Sequence, residues 1–588
     1  MSNVIATSLP PELDLMTRMR HRLQSLAYAS TLYRMMISGP APKALDVIPS
    51  DPWPGDGQLG EQIVDGKFAY AGQSFSAHPP QWLPEKANTA WLVYVHGFDW
   101  LRDLRSLGGD TARRVARSLM ASWLDRFEQW SPYVWEPHLV ALRLTHLVAL
   151  HDFVLASADT PFRARVFECL VRHYKHLLRL LPRAVAGFVT QDDDDGVEKI
   201  NNVNLPAAAQ IQGVELIQVL RGLIFAGVAF PDAEKALKLG LEILPIALRH
   251  AILADGSNAQ RNPTMQMVAL KCLVDIRHAL KAGKIPQKTS LPPELPIAIE
   301  RAAAALRFYR HGDGGLCLFN GAQEENPVML EALLTQADTR GRAPKTLVQG
   351  GYERLSLGRM LVFVDVGSPP APGLDSAAHA GLSSFECSIG RERLFVNCGA
   401  HSGHDTDAWY AALAGTCAHT TLTINDKNNC EVLSAGGIGH RPLTIECLRE
   451  DTKAQQQLIL THDGYLAEQH QIHQRTLTLM NEGEVLRGED KVKGSDGRPV
   501  HLRFHVHPLV QSSLIQNGKA VLMKLPGGNG YRFRCENGHG EAQPLMLEES
   551  LYYGKTLARP CRQIVIKGIT GSGESKWMWW LTREGKGK

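Results

Sequence analysis

The spacing of apolar residues changes near Arg310, and no other feature constrains the fold as strongly. Before it, from about Trp91 to Tyr309, apolar residues recur with helical period in long segments: Thr111 to Trp130, Pro137 to Leu155, Phe162 to Leu181, Ala207 to Phe230 and Ala233 to Leu253. Pro132, Pro231, Gly256, Pro263 and the Pro286 to Pro296 stretch fall between such segments, where they start or stop helices. After it come short β-branched or alternating runs split by Gly, Asn and Asp: LCLFN, RMLVFVDVG, SSFECSIG, RLFVNCG, HTTLTIND, QQLILTHD, HQRTLTLM, HLRFHVHP and QIVIKGI. Helices of similar length predict hairpins stacked into a bundle, solenoid or toroid, and the strand spacing predicts a large antiparallel β-sandwich.

A chain of 588 residues exceeds what one hydrophobic core organises. The expected division is an N-terminal region over 1–90, a helical domain over 91–310 and a sandwich over 311–588. The first region holds an amphipathic helix from about Leu13 to Met36, which packs on the body or rests on a membrane surface, then a Pro- and Gly-rich connector from Ser38 to Gly60 and a hairpin from Gly66 to Phe75. Leu23 to Tyr33 follows basic residues as a signal peptide would, but it contains Gln24, Ser25, Ser30 and Thr31 and runs into Arg34. A cytoplasmic location is therefore expected, with the periplasm or cell envelope as the alternative. No run of about 18 apolar residues predicts a membrane-spanning helix. Lys plus Arg total 63 against 60 for Asp plus Glu, so no overall field draws the chain to nucleic acid. The ten cysteines form no C-x-x-C pair, and neither a phosphate-binding loop nor a G-x-S-x-G elbow is present.

The strand half carries recognisable motifs. HAGLSSFECSIGRERLFVNCG (His379 to Gly399), AHTTLTIND (Ala418 to Asp426), THDGY (Thr461 to Tyr465) and FHVHP (Phe504 to Pro508), in that order, resemble the C-terminal domain of the heparinase II/III family of polysaccharide lyases. More weakly, HGFDWLRDL (His96 to Leu104), WEPHLVALRL (Trp135 to Leu144), LRGLIFAG (Leu220 to Gly227) and ADGSNAQRNP (Ala254 to Pro263) are similar to its helical half. The resemblance implies an N-terminal (α/α) toroid followed by a C-terminal antiparallel β-sandwich, acting on an acidic, uronate-containing polysaccharide by β-elimination. That reaction needs a partner that neutralises the carboxylate, a base for the weakly acidic carbon-5 proton and an acid for the leaving oxygen. In relatives these resemble an Asn or His and a Tyr from the toroid, and a His from the sandwich.

Against that pattern the helical half departs. Where relatives carry an Asn-His pair the alignment places Val214 and Glu215, and where they carry Tyr-His it places Met265 and Gln266. A Met exchanges no proton, and Glu215 repels a uronate. In the sandwich His379 stands at the family's His position, with Gly381 replacing an acid two residues on. No cofactor is expected. The alternative is zinc at His379, Asn397 and His419, where neutral Asn replaces the better carboxylate ligand.

His379 and His419 are accordingly the expected proton-transfer groups, and Tyr309, at the junction of the two halves, is the stand-in for the missing tyrosine. Trp135 and Arg143, eight residues apart on one expected helix, share a broad face and suit a sugar ring and its carboxylate; a core Trp beside a snorkelling Arg is the equal alternative. Arg261 is a second carboxylate contact, and Asn202, within an Asn cluster, a neutral partner for the acid. Asp192 to Asp195 lack calcium-loop spacing and read as a solvated loop. His505 and His507 alternate on one strand face without a clear third ligand. Three functions follow: a lyase for an acidic polysaccharide; an altered member that binds a glycan or envelope component without cleaving it; and a glycoside hydrolase, which requires Glu215 to face a second carboxylate.

Overall fold

The long apolar-periodic segments close into helices, with Pro137 to Leu155 broken into Pro137–Ala149 and His151–Val154. Asn88 caps the helix Thr89–His96 by accepting from Trp91 N, and Pro137 opens Pro137–Ala149, where its missing N–H costs nothing. Further helices are Gly109–Phe127, Thr160–Val185, Gly213–Ala229 and Glu234–Ala251. The computed structural model describes Met19, Leu23 and residues 25–185, 211–283, 291–401, 406–434, 436–555 and 557–585. It divides into two compact units: Met1–Ala251 with Val268–Ile299 and Ser402–His404, and Ile252–Met267 with Glu300–His401 and Asp405–Lys588.

In the first, helical unit, the backbones of Pro137–Ala149 and Gly213–Ala229 approach so closely that a Cβ on Gly222 would stand 2.5 Å from the Ala141 Cα. A glycine is required there by space alone. The expected connector is pinned rather than loose. The Asp51 carboxylate takes Arg102 and Arg105, and the buried Trp53 indole donates to Asp275, which also pairs with Arg221. The expected hairpin is present as Lys67–Tyr70 against Gln73–Ser76. Near the N-terminus the helix Thr31–Ile37 docks on Thr160–Val185 through Tyr33, whose hydroxyl lies 2.6 Å from His176 Nδ1, while Leu32 and Met35 face outward. Leu13 to Arg18 of the expected amphipathic helix lie outside the described residues. Among the described residues no helix is long and apolar enough to cross a membrane.

The second unit is a sandwich of antiparallel sheets. One has the strand order Gln511–Ile515, Ala520–Lys524, Gly530–Asn537, Gly573–Arg583, Val485–Gly494, Gln471–Met480, Gln455–His462, Ile445–Asp451. The other runs Met546–Tyr552, Arg559–Ile569, Pro499–Val506, Glu392–Val396, Phe385–Ile389, Met360–Asp365, Tyr352–Leu357, Thr346–Leu347, with Leu422–Ile424 beside Pro499–Val506. Alternate residues of Gln455–His462 are buried, as a strand with one face on a core requires. That core joins Val362, Phe385 and Phe504 of one sheet to Leu477, Phe533 and Trp579 of the other, with Trp579 stacked on Phe385 at 5.6 Å. LCLFN is not a strand; only Leu316 makes a bridge, to Arg310. All ten cysteines are free, and Cys417 alone is classed as exposed.

Inside the sandwich sits a fully buried carboxylate, Asp490. Its Oδ1 accepts from His473 Nε2 at 2.8 Å and Arg475 Nε at 2.7 Å, and its Oδ2 from Trp579 Nε1 at 3.0 Å. Arg475 then donates through Nη1 to the carbonyls of Ser383 and Thr420, both at 2.9 Å, which belong to the opposite layer. These charged partners hold the Asp490 carboxyl well below its ordinary range, against the opposing effect of burial. Because the folded-state pKa is depressed, the stability it contributes is present above the unfolded carboxylate value, about 3.9, and is lost as pH falls towards the folded value. Asp490→Asn should cost about 3–5 kcal/mol in a denaturant titration at neutral pH, since it leaves a buried guanidinium without its counter-charge. A cost below about 1 kcal/mol would mean the network is not what joins the layers.

Candidate functional site

The two expected proton-transfer histidines meet each other. His379 Nδ1 and His419 Nε2 are 3.1 Å apart, and His419 Nδ1 lies 2.8 Å from the Gly415 carbonyl. That carbonyl requires a proton on His419 Nδ1, so the neutral ring accepts at Nε2 and His379 donates from Nδ1. Both rings are buried, which holds His379 well below its ordinary pKa and brings His419 down to about 4. They are neutral at physiological pH and bonded to one another. The absence of the family's acid at Gly381 has a steric reason: a Cβ there would lie 2.8 Å from the His419 ring.

Two of the residues named for the zinc alternative are hydrogen-bonded to protein on every side described. Asn397 accepts from Thr420 N at 3.0 Å and donates to the Leu318 carbonyl at 3.2 Å, so its carboxamide is spent on backbone. Both nitrogens of His419 already have partners. Among the described residues no group of three or more His, Cys, Asp and Glu is arranged to hold a metal. His505 sits between the Ser550 hydroxyl at 2.9 Å and the Cys417 carbonyl at 3.0 Å, a buried strand residue.

The remaining expected contacts of the second unit are interior residues. Tyr309 is fully buried with its ring against Phe308 and Tyr352, and burial raises its phenol well above the ordinary value. The Arg261 guanidinium donates to the carbonyls of Gly350, Gly351, Gly367 and Ser368 and to Asp365. It pairs with Asp365 and has no donor left for a sugar carboxylate. Gln266, where relatives carry a His, accepts from Asn258 N at 2.7 Å and donates to the Gly256 carbonyl at 2.8 Å: it braces a turn.

In the helical unit Trp135 lies in the turn before Pro137–Ala149, not on that helix, and its buried indole donates to the Phe127 carbonyl at 3.0 Å. Arg143, also fully buried, donates to the carbonyls of His96 and Val134 and lies over the Trp123 ring. Burial without a counter-charge pulls its pKa down to about 9. Of the two readings the structure gives the core one, and without snorkelling, because backbone oxygens take the charge. Asn202 and the Asp192 to Asp195 run lie outside the described residues.

Glu215 is different. It occupies the first turn of Gly213–Ala229, and the close approach at Gly222 brings that turn beside the start of Pro137–Ala149. His138 Nδ1 lies 3.6 Å from Glu136 and 3.9 Å from Glu215. The carboxylates stay reachable from solvent, with side chains 39% and 42% exposed. Burial of the charged atoms, then the charge on Glu215, raises Glu136 to about 7; burial raises Glu215 as well and lowers His138 to about 4. Beside Glu136 the Tyr133 hydroxyl is buried and has no hydrogen-bond partner among the described residues. Glu136 and His138 stand in the WEPH segment, but nothing in the sequence pairs them with Glu215.

Residues 339–580 of the chain match the heparinase II/III-like C-terminal domain. Its fold is that of the polysaccharide lyases. The crystal structure of heparinase III aligns with a TM-score of 0.67 at 13% identity, covering 99% of this chain and 87% of that one. A mutant of heparan sulfate lyase HepC from Pedobacter heparinus aligns with a TM-score of 0.58 at 15% identity, covering 92% of this chain and 85% of that one. The chain is also 28% identical over 589 residues to FtsZ-localized protein C of Caulobacter vibrioides (strain NA1000 / CB15N), covering 95% of this chain and 93% of the relative.

The geometry at Glu215 carries a direct test. NMR titration of the glutamate carboxyl carbons should give Glu136 a midpoint near 7, and Glu215→Gln should lower it by removing a like charge. A midpoint in the ordinary range near 4 in the unaltered protein would show that the carboxylates do not sense each other.

Proposed function

We propose that this chain has left uronate β-elimination and serves as a glycan- or envelope-binding protein built on the lyase fold. The observation that carries the reading is Glu215 beside Glu136, at the position where lyases of this family place a carboxylate-neutralising group. The Glu215 carboxylate there opposes a uronate, because the neutralisation on which carbon-5 deprotonation depends is replaced by repulsion. Three further facts support it: Met265 exchanges no proton, Gln266 is committed to backbone, and the imidazoles of His379 and His419 are buried against each other. The near full-length similarity to a protein named for its localisation with FtsZ supports a role associated with FtsZ.

The test uses the purified full-length chain with heparin, heparan sulfate, chondroitin sulfate and alginate. No ultraviolet absorbance from an unsaturated uronate should develop with any of them, while affinity electrophoresis through gels containing cell-wall glycan should retard the protein. Steady product formation that His379→Ala abolishes would restore the lyase reading. A fluorescent fusion whose distribution is independent of FtsZ would remove the second half.

A further inference from the structure

One side of the expected amphipathic segment packs on the helical unit. Met19, Leu23, residues 25–29 and Thr31–Ile37 are helical. The Tyr28 ring lies 5.3 Å from that of His176 and 5.7 Å from that of Trp130, the Tyr33 hydroxyl is 2.6 Å from His176 Nδ1, and Ile37 is buried. Lys175 donates to the Ser38 carbonyl and Arg179 to the Met36 carbonyl, which closes the C-terminal end. With these contacts made, the segment has no freedom to turn its other side inward. That other side is apolar and open. Met19, Leu23 and Leu26 follow one another at helical spacing, as do Leu32, Met35 and Met36, and each of the six is between 45% and 69% exposed. Single exposed hydrophobics are ordinary, but six concentrated between Met19 and Met36 form a stripe that water disfavours.

We propose that the outward stripe of Met19, Leu23, Leu26, Leu32, Met35 and Met36 docks the chain on the surface of an anionic phospholipid bilayer. The charge of the same stretch selects that partner. From Leu15 to Leu45 the sequence holds Arg18, Arg20, Arg22, Arg34 and Lys43 and neither Asp nor Glu. A second copy would set these cations against their own kind, and a protein groove would have to be apolar and acidic at once. An anionic bilayer surface meets both demands, because its acyl chains receive the apolar side chains and its headgroups neutralise the basic ones. An apolar stripe on one side only belongs to a helix that lies in the plane of the interface. The contacts of Tyr28, Tyr33 and Ile37 then carry the helical unit to the bilayer with the segment.

This inference goes beyond the glycan-binding reading and uses none of its residues. The full-length chain is sedimented with vesicles of phosphatidylcholine alone and of phosphatidylcholine mixed with phosphatidylglycerol. It should pellet with the mixed vesicles and stay in solution with the neutral ones, and added salt should weaken the binding by screening the basic side chains. Leu32→Glu combined with Met35→Glu should weaken it about 10-fold or more, since the burial of two large apolar side chains is lost. Arg18→Ala, Arg20→Ala and Arg22→Ala together should also weaken binding to the mixed vesicles. Leu32 and Met35 meet solvent, so an unaltered thermal melt should accompany the double substitution. No pelleting with the mixed vesicles, or pelleting undiminished by Leu32→Glu with Met35→Glu, overturns the proposal. So does light scattering that shows a dimer which the same substitutions separate, because the stripe is then a contact between copies. The vesicles carry no glycan and the retarding gels no lipid, so this conclusion and the binding reading can fail independently.

Discussion

A carboxylate shut away from water must find its whole solvation inside the protein, and in the sandwich Asp490 does so by drawing an imidazole, a guanidinium and an indole onto its two oxygens. The layers depend on this. Arg475, held by Asp490, reaches the carbonyls of Ser383 and Thr420, so the segments that carry His379 and His419 are tied to the opposite sheet. His462 extends the chain of contacts, with Nε2 3.0 Å from His473 Nδ1. The imidazole pair is thereby built into the interior of its unit, and its chemistry is that of a packed polar contact.

How far the sequence could be read follows from the range of the forces involved. The change of period at Arg310 is local and was legible: helices precede it, and apart from LCLFN the strand runs form strands. LCLFN has the composition of a strand but finds no ladder beyond one bridge. Trp135 was placed one turn too far along because its spacing to Arg143 looks helical, although Pro137 marks where the helix begins. The guanidiniums were the least legible. Arg261 ends on carbonyls at 350, 351, 367 and 368, and Arg143 on those at 96 and 134, partners that have no side-chain signature in a sequence.

The acid pair shows the same limit from the other side. Glu215 stood out because of the position it occupies, but its neighbour did not. What joins the two is a contact at Gly222 and Ala141, about two and a half turns and about one turn into their helices, where a missing side chain lets the backbones close.

The distribution of sulfur has a practical consequence. Burial raises the thiols of Cys169, Cys387, Cys398 and Cys535, while Cys417 meets solvent. A maleimide dye added to the native chain therefore has a preferred attachment point without mutagenesis. Cys417 lies two residues from His419, so such a dye would sit on the short turn that leads into that imidazole and report its rearrangement when the sandwich is loosened.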